Sequence, residues 1–324
     1  MTFDVSPTSV APGVTTGARD SAGATGSGPV ASRGAAIANR VGDGKEAGAQ
    51  MAVISARGVP GSGIVTAAGR AGGAHTDALG RAELVGVGVG PGDPALLTVQ
   101  ALGVLRSVDR VVAPTTAIDA PGRAETIVRQ AAPEVVVDRL PFDMSPDHAD
   151  GGTGYAMRSA SHRTAAQDIV ASITRGQRVA FVTLGDPNVY STFPSVAAEV
   201  RALRPQTVVA TVPGICAFQV LAARAGTVLT DGVQRMALVT ALDGPDHAAA
   251  ALADDDCAVV IYKGGRHLPA LCTLLAQRGR LDGAVVGELL GLPGELVAPV
   301  AAVGGRGASY LATVIVPPRR RAGP

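Results

Sequence analysis

The chain contains no tryptophan, and aromatic residues make up only 3% of its 324 residues. Stacking of bases on aromatic platforms is therefore not an expected mode of recognition. A formal net charge of +1 leaves no basic surplus to neutralise a phosphate backbone, so no nucleic-acid partner is expected. Cysteine is scarce: Cys216, Cys257 and Cys272 form no CxxC pair, and their odd number argues against a disulfide framework. A reducing cytoplasm is the expected location. The five histidines are scattered without HExxH-type spacing, so no protein-bound catalytic metal is expected. Apolar residues reach 47%, mostly alanine and valine, yet no window approaches the roughly 18–20 unbroken apolar residues of a membrane span. No membrane partner is expected either.

Glycine is plentiful, at 42 residues. Much of it lies in residues 1–81, in runs such as "ATGSGPVASRGAAIANRVGDGKEAGAQ" that hold almost no large apolar side chain. Such a segment cannot bury enough surface to offset the entropy of ordering, and it reads as a disordered extension. It has no basic start followed by an apolar core, which excludes a secretory signal. Asp4, Asp20, Asp43 and Glu46 weigh against a transit peptide. Translation from Met51 remains an alternative.

From Glu83 onward, short apolar runs alternate with segments of helical periodicity. "ELVGVGV", "RVVAP", "EVVVD" and "RVAFVT" read as strands, with helices between them. "TVVATV", "MALVTA", "CAVVIYKG", "GAVVGELLG" and "SYLATVIV" continue the series. The alternation predicts an α/β protein with mainly parallel sheets. Pro205 ends a helix and supplies a joint, dividing the chain into an α/β domain over 82–206, a second over 207–318, and a basic tail over 319–324.

Four junctions carry more chemistry than a turn requires. In "GVGVGPGDP" the glycines admit close approach of a ligand to the backbone, and Asp93 with Pro94 suits a helix start. The stretch fits the Rossmann fingerprint poorly, since no acid ends the second strand, and a plain tight turn remains open. In "LGDPNVYSTF" Gly185 turns the chain, the Asp186 carboxylate is a hydrogen-bond acceptor, and Tyr190, Ser191 and Thr192 place three hydroxyls at a strand's carboxyl end. Ligands bind at such ends in open α/β sheets, although an Asx-type turn gives the same residues. In "VPGICAFQ" Cys216 opens a helix, where a thiol's pKa can fall. It reads as a small wall residue, since no histidine is nominated to activate it. In "IYKGGRHL", Lys263, Arg266 and His267 gather cationic groups at a glycine turn, suited to a polycarboxylate or to a solvated helix start.

Taken in order and spacing, "GVGVGPGDPALLTVQA", "FVTLGDPNVYSTF", "VPGICAFQ" and "YKGGRHL" resemble the tetrapyrrole methylase family over about residues 83–317. The "GDPxxYSTF" form and the closing "ASYLATVIVP" look most like the subgroup acting on carbon 20 of precorrin-2 in cobalamin synthesis. The resemblance implies the tetrapyrrole methylase fold, two α/β domains with the active cleft between them, S-adenosyl-L-methionine folded in that cleft, a tetrapyrrole substrate and a homodimer. It implies cofactor contacts from Pro91, Leu184, Gly185, Asp186, Val189, Cys216, Ala217 and Lys263. Ala95 stands where a glutamate is usual, and Cys216 where a threonine is usual, which removes one hydroxyl beside the cofactor.

A sulfonium methyl and an enamine-like ring carbon are both already reactive, so alignment and exclusion of water suffice, and no catalytic triad is required. Asp93 and Tyr190 are candidates for a base that takes the proton released. Ser191, Thr192 and Arg266, with Lys263 and either Arg158 or Arg163, are candidates for contacts to the substrate and its carboxylates. Two rivals stand: a methylase of the same fold acting on the cobalt-loaded substrate or on another ring carbon, and a non-catalytic nucleotide-binding α/β module.

Overall fold

The computed structural model describes residues 74–143, 153–303 and 305–319. The expectations for residues 1–73 and 320–324 lie outside them. Residues 74–81, expected to be disordered, instead form helix α1 (Ala74–Arg81). A distant guanidinium holds its end: Arg178 donates to the carbonyls of Leu79 and Ala82 at 2.6 and 3.0 Å. Nothing local in the sequence signals that anchor.

The first sheet contains β1 (Leu84–Gly88), β2 (Arg110–Thr115), β3 (Val137–Pro141), β4 (Val179–Thr183) and β5 (Val209–Val212) in the order β3-β2-β4-β1-β5, every pair parallel. β1 and β4 are buried at all five positions, as uninterrupted apolar strands covered on both faces should be. One cover consists of α2 (Val99–Leu105) and α3 (Arg123–Ala131), which supply Val104, Leu105, Ile127 and Val128. The other consists of α4 (Thr153–Thr174) and α5 (Phe193–Leu203), which supply Ile169, Ile173, Val196 and Val200. Gly86 is small by necessity: a Cβ there would lie 2.5 Å from the Phe193 ring. β5 was expected beyond the joint at Pro205. It pairs with β1 instead, so the first sheet runs to Val212.

Helix α6 (Ala217–Ala225) leads into the second sheet: β6 (Arg235–Thr240), β7 (Cys257–Tyr262), β8 (Val285–Glu288), β9 (Leu296–Pro299) and β10 (Thr313–Val316), in the order β6-β7-β10-β8-β9. Only β6 and β7 are parallel; the β7–β10, β10–β8 and β8–β9 pairs are antiparallel. The expectation of mainly parallel pairing thus holds in the first sheet and not in the second. A short apolar run carries no mark of its partner's direction, and β9 was not among the expected strands. Helices α7 (Asp246–Ala251), α8 (Leu268–Gln277) and α9 (Val300–Val303) cover one face of this sheet, and α6 covers the other.

Candidate active site

The site begins with three glycines. β1, β4 and β5 are neighbours, so the loops leaving their carboxyl ends stack backbone on backbone. A Cβ on Gly214 would lie 2.0 Å from the Gly185 carbonyl oxygen, and one on Gly88 would lie 2.5 Å from that same oxygen. Neither position has room for a side chain. The Gly185 N–H donates to the Gly90 carbonyl at 2.9 Å, joining the first loop to the second. Asp186 joins the second loop to the third: one carboxylate oxygen accepts from the Asn188 N–H at 2.8 Å, the other from the Gly214 N–H at 3.1 Å.

The second sheet closes the cavity from the opposite side. β7 delivers Tyr262 and Lys263, the latter in the left-handed region at φ +59°. β8 runs into Leu289, Leu290 and Leu292, and β10 supplies Thr313 just after Leu311. The loops of the two sheets touch where side chains are missing: a Cβ on Gly92 would meet the Leu290 carbonyl at 2.2 Å, and one on Gly291 would meet the Asp93 nitrogen at 2.3 Å. Tyr190, at φ +47°, spans from the first sheet to the second and donates its hydroxyl to the Leu238 carbonyl at 2.9 Å. The resulting cavity has about 750 Å³ of empty space, including its solvent-open mouth.

The cavity holds charge of both signs. Burial pushes the Cys216 thiol up to about 11, and the Asp186 carboxylate adds to the rise. The thiol is therefore held neutral, contrary to the fall expected at a helix start, and it serves as wall. The Tyr262 phenol, whose oxygen accepts from the Phe218 N–H at 3.2 Å, is raised by burial. Burial lowers Lys263, and the Arg158 charge lowers it further. Arg158 and Arg266 also act on Tyr310, so three cationic side chains gather on this side of the cleft. Arg163 is turned elsewhere, 3.6 Å from Glu199.

All eight residues expected at the cofactor, namely Pro91, Leu184, Gly185, Asp186, Val189, Cys216, Ala217 and Lys263, line this one cavity. Of the two base candidates, Tyr190 lines it, with its phenol raised by burial. Asp93 does not: its carboxylate accepts from the Ala95 N–H at 2.8 Å as a helix cap. Ser191 is engaged with the Thr183 hydroxyl at 3.0 Å and the Phe193 N–H at 3.1 Å. Thr192 sits at the cap position of α5 without a side-chain bond, and Arg266 is exposed on a short turn outside the cavity wall. The sequence reading did not include Arg123, Tyr262, Leu289, Leu290, Leu292, Leu311 or Thr313 in the wall. Arg123 follows an unremarkable loop, and the others lie in the antiparallel part of the second sheet. A second, wider hollow, between the α6–β6 loop and Pro317–Pro318, is lined by none of the expected residues. Among the described residues no cluster of three or more His, Cys, Asp or Glu side chains could hold a metal ion, and no helix is long and apolar enough to cross a membrane.

Two α/β sheets whose loops meet around one cavity are thus the architecture of the chain. The family model of the tetrapyrrole (corrin/porphyrin) methylases matches residues 83–302, and the chain belongs to that family. A precorrin-2 C(20)-methyltransferase of Sinorhizobium sp is 29% identical over 241 residues, covering 74% of this chain and 96% of that one. A cobalt-precorrin-2 C(20)-methyltransferase of Salmonella typhimurium is 31% identical over 214 residues, covering 66% and 86%. Among solved structures, a cobalamin synthesis related protein (CobF) of Corynebacterium diphtheriae shares the fold with a TM-score of 0.55 at 21% identity, covering 72% of this chain and 98% of that one. A uroporphyrin-III-C-methyltransferase of Thermus thermophilus does so with a TM-score of 0.51 at 23% identity, covering 74% and 93%.

Proposed function

We propose that the protein transfers a methyl group from S-adenosyl-L-methionine to carbon 20 of precorrin-2, giving precorrin-3A in cobalamin synthesis. The observation that carries this reading is the convergence of eight motif residues from distant loops on one cavity. The names of the two relatives at 29% and 31% identity support the choice of ring carbon.

The cavity suits such a donor chemically. Gly185, packed against Gly88 and Gly214, gives the wall a stretch without a side chain, the leucines offer apolar surface to a purine, and Asp186 offers negative charge near a cation. When bound, S-adenosyl-L-methionine supplies an electrophilic methyl whose bonding pair to carbon returns to sulfur as the new carbon–carbon bond forms. The protein's part is alignment and exclusion of water. The stacked loops fix the floor, Tyr190 straps one side, and the neutral Cys216 thiol offers no competing nucleophile. The charges of Arg158, Lys263 and Arg266 on one side of the cleft support these residues as partners for the carboxylate arms of the acceptor. The proton lost from carbon 20 goes to solvent or to an acceptor group other than Tyr190, whose hydroxyl is engaged as a donor.

The deciding experiment incubates the protein with methyl-labelled S-adenosyl-L-methionine and enzymatically prepared precorrin-2, then locates the label by NMR. Label at carbon 20 supports the reading, and label elsewhere or no transfer overturns it. The Salmonella relative's name favours a second reading in which the acceptor carries cobalt. Parallel assays with metal-free and cobalt-loaded substrate separate the two. We further expect two domains, one per sheet, and a cytoplasmic homodimer, for which sedimentation is the test.

A further inference from the structure

Thr313 is the first residue of β10, at the centre of the second sheet, paired with Tyr262 on one side and Gly287 on the other. It is fully buried, and its hydroxyl has no hydrogen-bond partner. Among the described residues the other buried threonines all have one. Thr115 donates to the Ala117 carbonyl, Thr183 bonds Ser191, and Thr207 accepts from Arg204. Valine has nearly the same shape and suits a strand equally well, so packing alone gives no reason for a hydroxyl here. A buried polar group without a partner destabilises the fold that holds it. His162 Nε2 and Ser309 Oγ are likewise unpartnered, but neither residue lines the cavity, whereas Thr313 does.

The surroundings narrow the missing partner. Leu311 precedes Thr313 by two residues, and Leu290 follows β8, whose Gly287 is its neighbour in the sheet. Of the charged groups of the wall, Asp186 and Arg123 come from other loops, while Lys263 follows Tyr262, the partner of Thr313 in the sheet. A zwitterionic amino-acid group matches that charged portion. A neutral, flat heterocycle with a hydrogen-bonding edge matches leucines beside a lone hydroxyl. We propose that the Thr313 hydroxyl bonds the purine-nucleoside half of the methyl donor, an assignment that rests on the donor reading given above. A threonine hydroxyl both donates and accepts, so it can serve either kind of edge atom.

The test is calorimetric binding of S-adenosylhomocysteine and of 5′-methylthioadenosine, which lacks the amino-acid group, to the wild type, Thr313→Val and Thr313→Ser. The expected result is about tenfold weaker binding of both ligands by Thr313→Val, with near-wild-type binding by Thr313→Ser. The unliganded Thr313→Val protein should melt no lower than wild type, because the removed hydroxyl had no partner. Equal affinity of Thr313→Val and wild type overturns the proposal. So does a loss confined to S-adenosylhomocysteine, which would assign the hydroxyl to the amino-acid half. If the wild type binds neither ligand, the donor reading itself falls, and that outcome is distinct from the other two.

Discussion

The Gly214 N–H donates to the Asp186 carboxylate at 3.1 Å, tying the loop after β5 to the loop after β4 on the wall of the cavity. The same carboxylate adds to the rise in the Cys216 thiol's pKa. Asp186 therefore fixes loop geometry and sets the charge inside the site. Asp186→Asn should lower the Cys216 pKa from about 11 without restoring an ordinary value, because burial is the larger cause. Alkylation of Cys216 followed by mass spectrometry across pH 7–11 reads this directly. An unchanged profile would show that the carboxylate does not act on the thiol.

Two glycines predict opposite outcomes from the same substitution. Gly214→Ala places a methyl 2.0 Å from the Gly185 carbonyl oxygen, which cannot move without shifting a central loop. A loss of at least about 3 kcal/mol is expected. Gly103, exposed within α2, has nothing within 4 Å of its would-be Cβ. Gly103→Ala should stabilise by about 0.5–1 kcal/mol through helix propensity alone. Urea denaturation of both variants checks the pair.

Glu125 provides a pH signature of the fold. Its side chain is 0% exposed and lies 2.7 Å from Arg139 and 2.8 Å from Arg129. Hydrogen bonding to Arg139 leads the causes that hold its carboxyl below the ordinary range. A depressed native pKa contributes stability that is fully present above the unfolded-state value and is lost as pH falls through the native one. The wild type should therefore lose stability in acid below the ordinary carboxylate range. Glu125→Gln should be weaker by about 3 kcal/mol at neutral pH and should lack that acid-dependent part. Urea midpoints measured from pH 7 to pH 3 compare the two.

Tyr190 faces the cavity, yet its hydroxyl donates to the Leu238 carbonyl and burial raises its phenol. Tyr190→Phe should keep the shape of the pH–rate profile and lose less than about tenfold in rate, the scale of one neutral hydrogen bond. Disappearance of a basic limb in that variant would reinstate Tyr190 as the proton acceptor.

Much of the first sheet is legible along the chain. β1 and β4 are buried on both faces, so each reads as an unbroken apolar run, whereas β3 and β5 are partly exposed; the four junctions announce themselves by glycine, with proline or aspartate in three of them. The eight expected cofactor residues all lie on such junctions, which is why motif spacing finds them. The remaining wall has no comparable signature. Thr313 looks like any strand residue, the leucines after β8 read as core, and Arg123 resembles an ordinary first-turn arginine. What distinguishes them is what stands opposite, and that is a property of strand order and direction.

The sequence by itself determined most of the strands and helices from Glu83 onward and the small set of loops able to approach a ligand, because periodicity and backbone freedom act over a few residues. Only the tertiary structure decided that β5 belongs to the first sheet, that the second sheet is largely antiparallel, and that Asp186 ties two distant loops together on the cavity wall. Those outcomes depend on pairings between residues far apart in the chain, whose energies come from mutual burial and hydrogen bonding rather than from local preference.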